Sequence, residues 1–180
     1  MRHVGYGHMI KTAIFDFDGT LADTIPLCLE AFRRAVNDLD GRVLTDREIE
    51  RNFGPDDLGV IRKLFPGKPE WHEHGRELFI HYYQELHAEM APAPFPGTVE
   101  LLHSLRNSGI RLAMVTGKRR ESADISLKFF HLDGFFPVLE TGSPEGGVKT
   151  DRINRALKRL GASAREAVYI GDSPSDVDAC

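Results

Sequence analysis

Ala13-Ile14-Phe15-Asp16-Phe17-Asp18-Gly19-Thr20-Leu21 decides the reading of this chain. Its apolar start reads as a buried strand over residues 10–15, short and ending at two carboxylates. Side chains two apart on extended chain point the same way, so Asp16 and Asp18 can address one metal ion or one phosphorus atom together. Gly19 then allows a sharp turn.

Outward from this stretch, the pattern first turns helical. Ile25, Leu29, Phe32, Val36 and Leu39 recur at steps of three and four, predicting a helix from about Pro26 to Leu39 that Asp40-Gly41 stops. Thr45-Asp46-Arg47-Glu48 has capping-box spacing and starts a short helix. Pro55 opens another through Phe65, and Trp71, Leu78, Phe79, Tyr82, Leu86 and Met90 mark a longer one. The stiff, proline-rich run Ala91 to Gly97 closes this all-helical block, 24–91.

Beyond it the beat changes to strand, helix, strand. Helices over 98–107, 119–130 and 150–160 alternate with strands over 110–115, 137–139 and 167–170. Such alternation predicts an α/β chain: a Rossmann-like parallel sheet core, with helices on both faces. The core comprises 1–23 and 92–180, and the helical block is an insert beside its active edge. Ligands bind beyond the carboxyl ends of such strands. Three chemically loaded segments fall there, Asp16 to Thr20, Thr116 to Lys118 and Asp172 to Asp176, with Lys149 in the loop after the third strand.

Asp16, Asp18 and Asp172 gathered at one edge would repel one another, and a divalent cation resolves the conflict. All-oxygen ligands favour magnesium, which takes carboxylates, waters and a substrate phosphate. The substrate read from this is a phosphate ester. Asp16 is the candidate nucleophile that would form an aspartyl-phosphate, and Asp18 the candidate acid and base. Thr116 and Gly117, with Lys118, supply phosphate contacts, and Lys149 neutralises charge shared by phosphate and nucleophile.

The ordered set Asp16-Phe17-Asp18-Gly19-Thr20-Leu21, Thr116-Gly117-Lys118, Lys149 and Gly171-Asp172-Ser173-Pro174-Ser175-Asp176 resembles the four motifs of the haloacid dehalogenase-like hydrolase superfamily. The resemblance spans nearly the whole chain and is strongest towards phosphoglycolate phosphatase-like members with a small helical cap. It implies magnesium held by Asp16, Asp172 and the Asp18 carbonyl, Asp176 supporting a metal-bound water, and the insert as a cap that closes over substrate. Asp18 argues against dehalogenation, because the dehalogenases of the family lack that second aspartate. Two departures stand out. Thr150 follows Lys149 where many relatives have proline, and the chain ends at Cys180, which leaves a truncated sheet edge as the expectation. A sugar phosphomutase, a pyrophosphatase and a noncatalytic phosphate- or partner-binding module are the competing readings.

Other features exclude rather than assign. With 41% hydrophobic and 28% charged residues and a net charge of −4, the composition is that of a globular chain and does not call for nucleic acid. No run approaches the roughly 18 apolar residues of a membrane span, and Met1 to Lys11 lacks a signal peptide's apolar core. Cys28 and Cys180 form no metal-like pairing, and the expectation is a cytoplasmic protein with Cys28 in its core. His72, His74, His81 and His87 are read as a solvated helix face, and Arg33-Arg34 and Arg119-Arg120 as exposed charges. Asp38 to Gly41 lacks the further ligands of a calcium loop. The loop Asn52 to Asp57 is expected to face the nucleophile. Arg62 and Lys63 are read as surface charges, and as candidates for a substrate carboxylate if they reach the site.

Overall fold

A computed structural model describes residues 9–179. The expectations for the first eight residues and for Cys180 lie outside the described residues. β1 (Thr12–Phe15), β2 (Arg111–Val115), β3 (Val138–Glu140) and β4 (Ala167–Ile170) form one parallel sheet in the order β3-β2-β1-β4. The order reverses beside β1, because the chain leaves β1 for β2 on one side and returns to β4 on the other. A crevice opens at such a switch point. Asp16 follows β1 and Asp172 follows β4, so the topology alone brings these two carboxylates to that crevice.

Both faces of the sheet are covered, and the strands alternate between two cores accordingly. Ala13, Phe15, Leu112 and Met114 join the larger core, while Ile14, Ala113 and Val115 join the smaller one with Ile153, Ala156 and Leu157. Those last three lie on α7 (Lys149–Leu160). The larger core takes α5 (Thr98–Asn107), α6 (Arg120–Phe129) and the helical insert, which begins with α1 (Ile25–Asp40). β3 and β4 are the two edge strands among the described residues, and Val168 of β4 is 40% exposed.

The insert continues through α2 (Asp46–Glu50), α3 (Asp57–Leu64) and α4 (His72–Met90). Gly41 ends α1 at φ 78°, and Thr45 and Glu48 complete the expected capping box at α2. Phe32 of α1 stacks on Phe79 of α4 with ring centroids 4.1 Å apart. α4 in turn rests on α6, where Tyr83 Oη and Ser126 Oγ are 2.6 Å apart and Arg76 reaches Glu121 at 2.5 Å. A short helix, α8 (Pro174–Asp178), closes the described chain and was not foreseen.

Several readings need correction. β3 starts one residue later than expected, since Pro137 has no N–H for a ladder and Glu140 O is needed to accept from Thr116 N at 3.0 Å. His87 is 1% exposed, not solvated: it lies one turn beyond Tyr83 on the face that meets α6, and its Nε2 is 2.9 Å from Ser126 Oγ. Arg33, Arg34 and Arg119 are partly buried and ion-paired, with Glu30 and Asp46, with Glu30, and with Asp56 respectively. Among the described residues no helix is long and apolar enough to cross a membrane.

Candidate active site

The carboxyl ends of β1, β2 and β4 open into a cavity of about 460 Å³. Asp16, Asp18, Gly117, Lys118, Lys149 and Asp172 all line it, so residues up to 156 positions apart in sequence share one wall. Thr116 is fully buried, with its Oγ1 accepting from Lys118 N at 3.2 Å. Across from this wall stand Phe53 to Asp57 of the insert, so the expected loop shares the cavity with Asp16. Gly142 makes that approach possible: a Cβ there would lie 2.1 Å from Pro55 O and 2.2 Å from Gly117 O.

Asp16 is 8% exposed, and each of its oxygens has a partner. Phe17 N donates to Oδ1 at 2.6 Å and Lys149 Nζ to Oδ2 at 2.6 Å. Burial raises its carboxyl above the ordinary range, against the pull of Lys149. Lys149 itself is the first residue of α7, not a loop residue, because Val148 already holds the extended N-cap conformation. A cation at a helix N-terminus is disfavoured by the helix dipole. Here Asp16 and Asp176 offset that: burial opposes the charge, yet the two carboxylates hold the ammonium above its ordinary pKa.

Gly19 sets the distance between the β1 and β4 loops. Its φ is 74°, and a Cβ would lie 2.2 Å from Asp172 Oδ2, so only glycine satisfies both the turn and the contact. Thr20 Oγ1 donates to Asp172 Oδ1 at 3.0 Å, leaving that exposed carboxylate otherwise open to the cavity. One oxygen each of Asp16, Asp172 and Asp176 lie within 4.8 Å of one another. An oxygen-only donor set of this size suits a hard divalent cation. Asp176 is the most committed of the three: it accepts from Lys149, Tyr169 Oη, Ser173 N and Ser173 Oγ. Burial notwithstanding, the Lys149 and Ser173 hydrogen bonds hold it down to about 2. That occupancy suits it to orienting neighbours, and Asp16 and Asp172 to direct ligation.

Lys118 is placed differently from a free phosphate ligand. Its side chain is 2% exposed and its ammonium pairs with Asp18 Oδ1 at 3.0 Å. It also donates to Cys28 Sγ at 3.2 Å and lies 4.5 Å from the centroid of the Tyr83 ring. Thr24 Oγ1 donates to the same Asp18 oxygen at 2.5 Å. Cys28 is therefore core, as expected, but core in contact with a charge; burial pushes its thiol up to about 12. Thr24 and Arg152 lie outside the expected site residues but belong to this region. Arg152 carried the one available signal, since it stands three residues after Lys149 on the same helix and so on the same face. Arg62 and Lys63 are exposed and outside the cavity wall, where their nitrogens reach Pro144 O at 3.5 Å and Phe53 O at 2.9 Å.

A parallel sheet with carboxylates at its switch point, a lysine on the first of them and a helical insert beside it define a hydrolase of the haloacid dehalogenase-like class. The family model described as haloacid dehalogenase-like hydrolase matches residues 13–180, and the chain belongs to that family. It is 30% identical over 172 residues to pyrophosphatase PpaX of Halalkalibacterium halodurans, covering 93% of this chain and 77% of that one. CbbY of Rhodobacter sphaeroides, solved in complex with phosphate, has the same fold, with a TM-score of 0.81 at 24% identity over 95% of this chain and 81% of that one. A second crystal structure of CbbY holds xylulose-1,5-bisphosphate.

Proposed function

We propose that this hydrolase is a magnesium-dependent phosphatase that cleaves a small phosphate ester through an aspartyl-phosphate on Asp16. The observation that carries the reading is the shared cavity: Lys149 Nζ sits 2.6 Å from Asp16 Oδ2, in a wall that also contains Asp18 and Asp172. In the first step Asp16 attacks phosphorus, the ester P–O bond breaks, and Asp18 gives a proton to the leaving oxygen. In the second, Asp18 takes a proton from water, whose oxygen attacks the phosphorus, releasing orthophosphate and restoring Asp16. Lys149 balances negative charge on the transferring group, and the Gly117 segment contributes backbone contacts to it. Magnesium, when bound by Asp16, Asp172 and the Asp18 carbonyl, would supply charge neutralisation for substrate and nucleophile.

In this reading residues 24–91 act as the cap over a core of 1–23 and 92–180, and the loop Phe53 to Asp57 excludes water from the closed cavity. The protein would work in the cytoplasm on soluble metabolites. Phosphoglycolate-like esters are the first substrate class to test. Pyrophosphate comes next, because a relative 30% identical to this chain is named a pyrophosphatase. The experiment is phosphate release from phosphoglycolate, sugar phosphates, nucleotides and pyrophosphate, with and without magnesium, alongside Asp16→Asn. Magnesium-dependent release that Asp16→Asn abolishes is the expected result. A folded chain that releases phosphate from nothing, or an Asp16→Asn variant as active as the parent, overturns the proposal.

A further inference from the structure

Three cations stand in the cavity wall: Lys118, Lys149 and Arg152. The two lysines are committed, Lys118 to Asp18 and Lys149 to Asp16 and Asp176. Arg152 has no carboxylate partner among the described residues. It is nevertheless 6% exposed, its Nε is buried with no hydrogen-bond partner, and its one hydrogen bond among the described residues is Nη1 donating to Gly147 O at 3.4 Å. The nearby carboxylates are spoken for. Glu140 holds Arg155 and Arg159 at 2.9 and 2.8 Å, and Asp16 holds Lys149 and Phe17 N.

Buried arginines are ordinarily paired, and an unsatisfied buried donor calls for an explanation. Burial and the neighbouring Arg155 press the Arg152 guanidinium below its ordinary pKa, whereas carboxylates outweigh burial and raise Lys118 and Lys149 above theirs. The wall therefore holds one positive charge that no described carboxylate pairs with, in a planar fork suited to two oxygens of one anion. It lies one helical turn from Lys149, whose ammonium marks the position of the reacting phosphate in the proposed mechanism.

We infer that Arg152 is a specificity residue that binds a second anionic group of the substrate, so that the cavity selects molecules with a phosphoryl or carboxylate group beside the phosphate to be cleaved. The inference rests on the phosphatase reading for the position of the first phosphate. Arg152 takes no part in bond breaking; it tightens binding of the doubly anionic class and leaves single-phosphate ligands unaffected.

Two measurements test it separately from that reading. Calorimetric titration in the Asp16→Asn background compares pyrophosphate with orthophosphate, with Arg152 retained or replaced. Arg152→Met should weaken pyrophosphate roughly tenfold or more and change orthophosphate by no more than about twofold, the loss expected for one charge-assisted fork. Arg152→Lys keeps the charge and stem without the fork. It should cost pyrophosphate roughly two- to fivefold, and it decides the matter if the methionine variant does not fold. In the active chain, Arg152→Met should raise KM for pyrophosphate and phosphoglycolate, leaving kcat and all p-nitrophenyl phosphate kinetics near those of the parent. Whether the rise is larger for pyrophosphate or phosphoglycolate tells whether the second group is phosphoryl or carboxylate. Unchanged pyrophosphate binding, or parallel loss of both anions, overturns the inference. Absence of turnover in the parent overturns the phosphatase reading instead, with the titration still deciding Arg152.

Discussion

Replacing Asp57 by asparagine should make the protein's stability less sensitive to pH, and the size of the change follows from where Asp57 sits. The carboxylate is 7% exposed and accepts from Ser122 Oγ at 2.5 Å. Burial pushes its pKa from 3.8 up to about 6, against the downward pull of Lys118 and Ser122. The folded state thus holds this proton more tightly than the unfolded chain. Stability from the group is fully present below the unfolded value and is lost as pH rises through the folded one. A shift of about two units corresponds to roughly 3 kcal/mol over the whole titration, of which about 2 kcal/mol falls between about pH 4.5 and about pH 7.5. Asparagine can still accept from Ser122 and does not titrate. Relative to Asp57→Asn, the parent should therefore lose about 2 kcal/mol across that window, or a difference of roughly 1 M in urea midpoint. Urea unfolding followed by the fluorescence of Trp71, the only tryptophan, measures both chains at both pH values. A stability difference that stays constant with pH, or that moves in the parent's favour as pH rises, refutes the reasoning.

Other substitutions report on the site and the core. Gly19→Ala places a methyl group 2.2 Å from Asp172 Oδ2 at a φ of 74°; it should destabilise the fold by about 1–3 kcal/mol, seen in thermal melts, and depress turnover by displacing Asp172. Phe79→Ala removes a fully buried ring stacked on Phe32 and should cost about 3–5 kcal/mol in urea unfolding. Ser126→Ala leaves Tyr83 Oη and His87 Nε2 without their shared partner between α4 and α6; a loss of about 1–3 kcal/mol is expected, and an unchanged midpoint would show that the contact is not needed to hold the insert. Lys149→Met removes the cation from Asp16 and should lower kcat by roughly a hundredfold or more, measured on the best substrate of the panel.

Much of the architecture was legible because its signals are local. The step of three and four along α1, the Thr45 to Glu48 capping box and the apolar run before Asp16 each depend on residues within a turn or a strand. Even the meeting of Asp16 with Asp172 follows from strand order, since both residues end parallel strands at one switch point. Where local signals were weak the boundaries moved, as at Pro137, whose missing N–H delays β3, and at Lys149, which joins α7 because of conformation at Val148 rather than any sequence mark. His87 was misplaced because four histidines on one helix look alike until the neighbour of each helix face is known.

By itself, then, the sequence determined the parallel α/β core, the helical insert and the motif order that carries the chemistry, because periodicity and capping are properties of short stretches of chain. Only the tertiary structure decided which charge meets which. It tied Lys118 to Asp18 across 100 positions, set Asp57 beside Ser122, and left Arg152 buried without a carboxylate partner among the described residues. These environments depend on burial and on partners brought in from distant segments, and a side chain's charge state and availability are functions of that surrounding rather than of its neighbours along the chain.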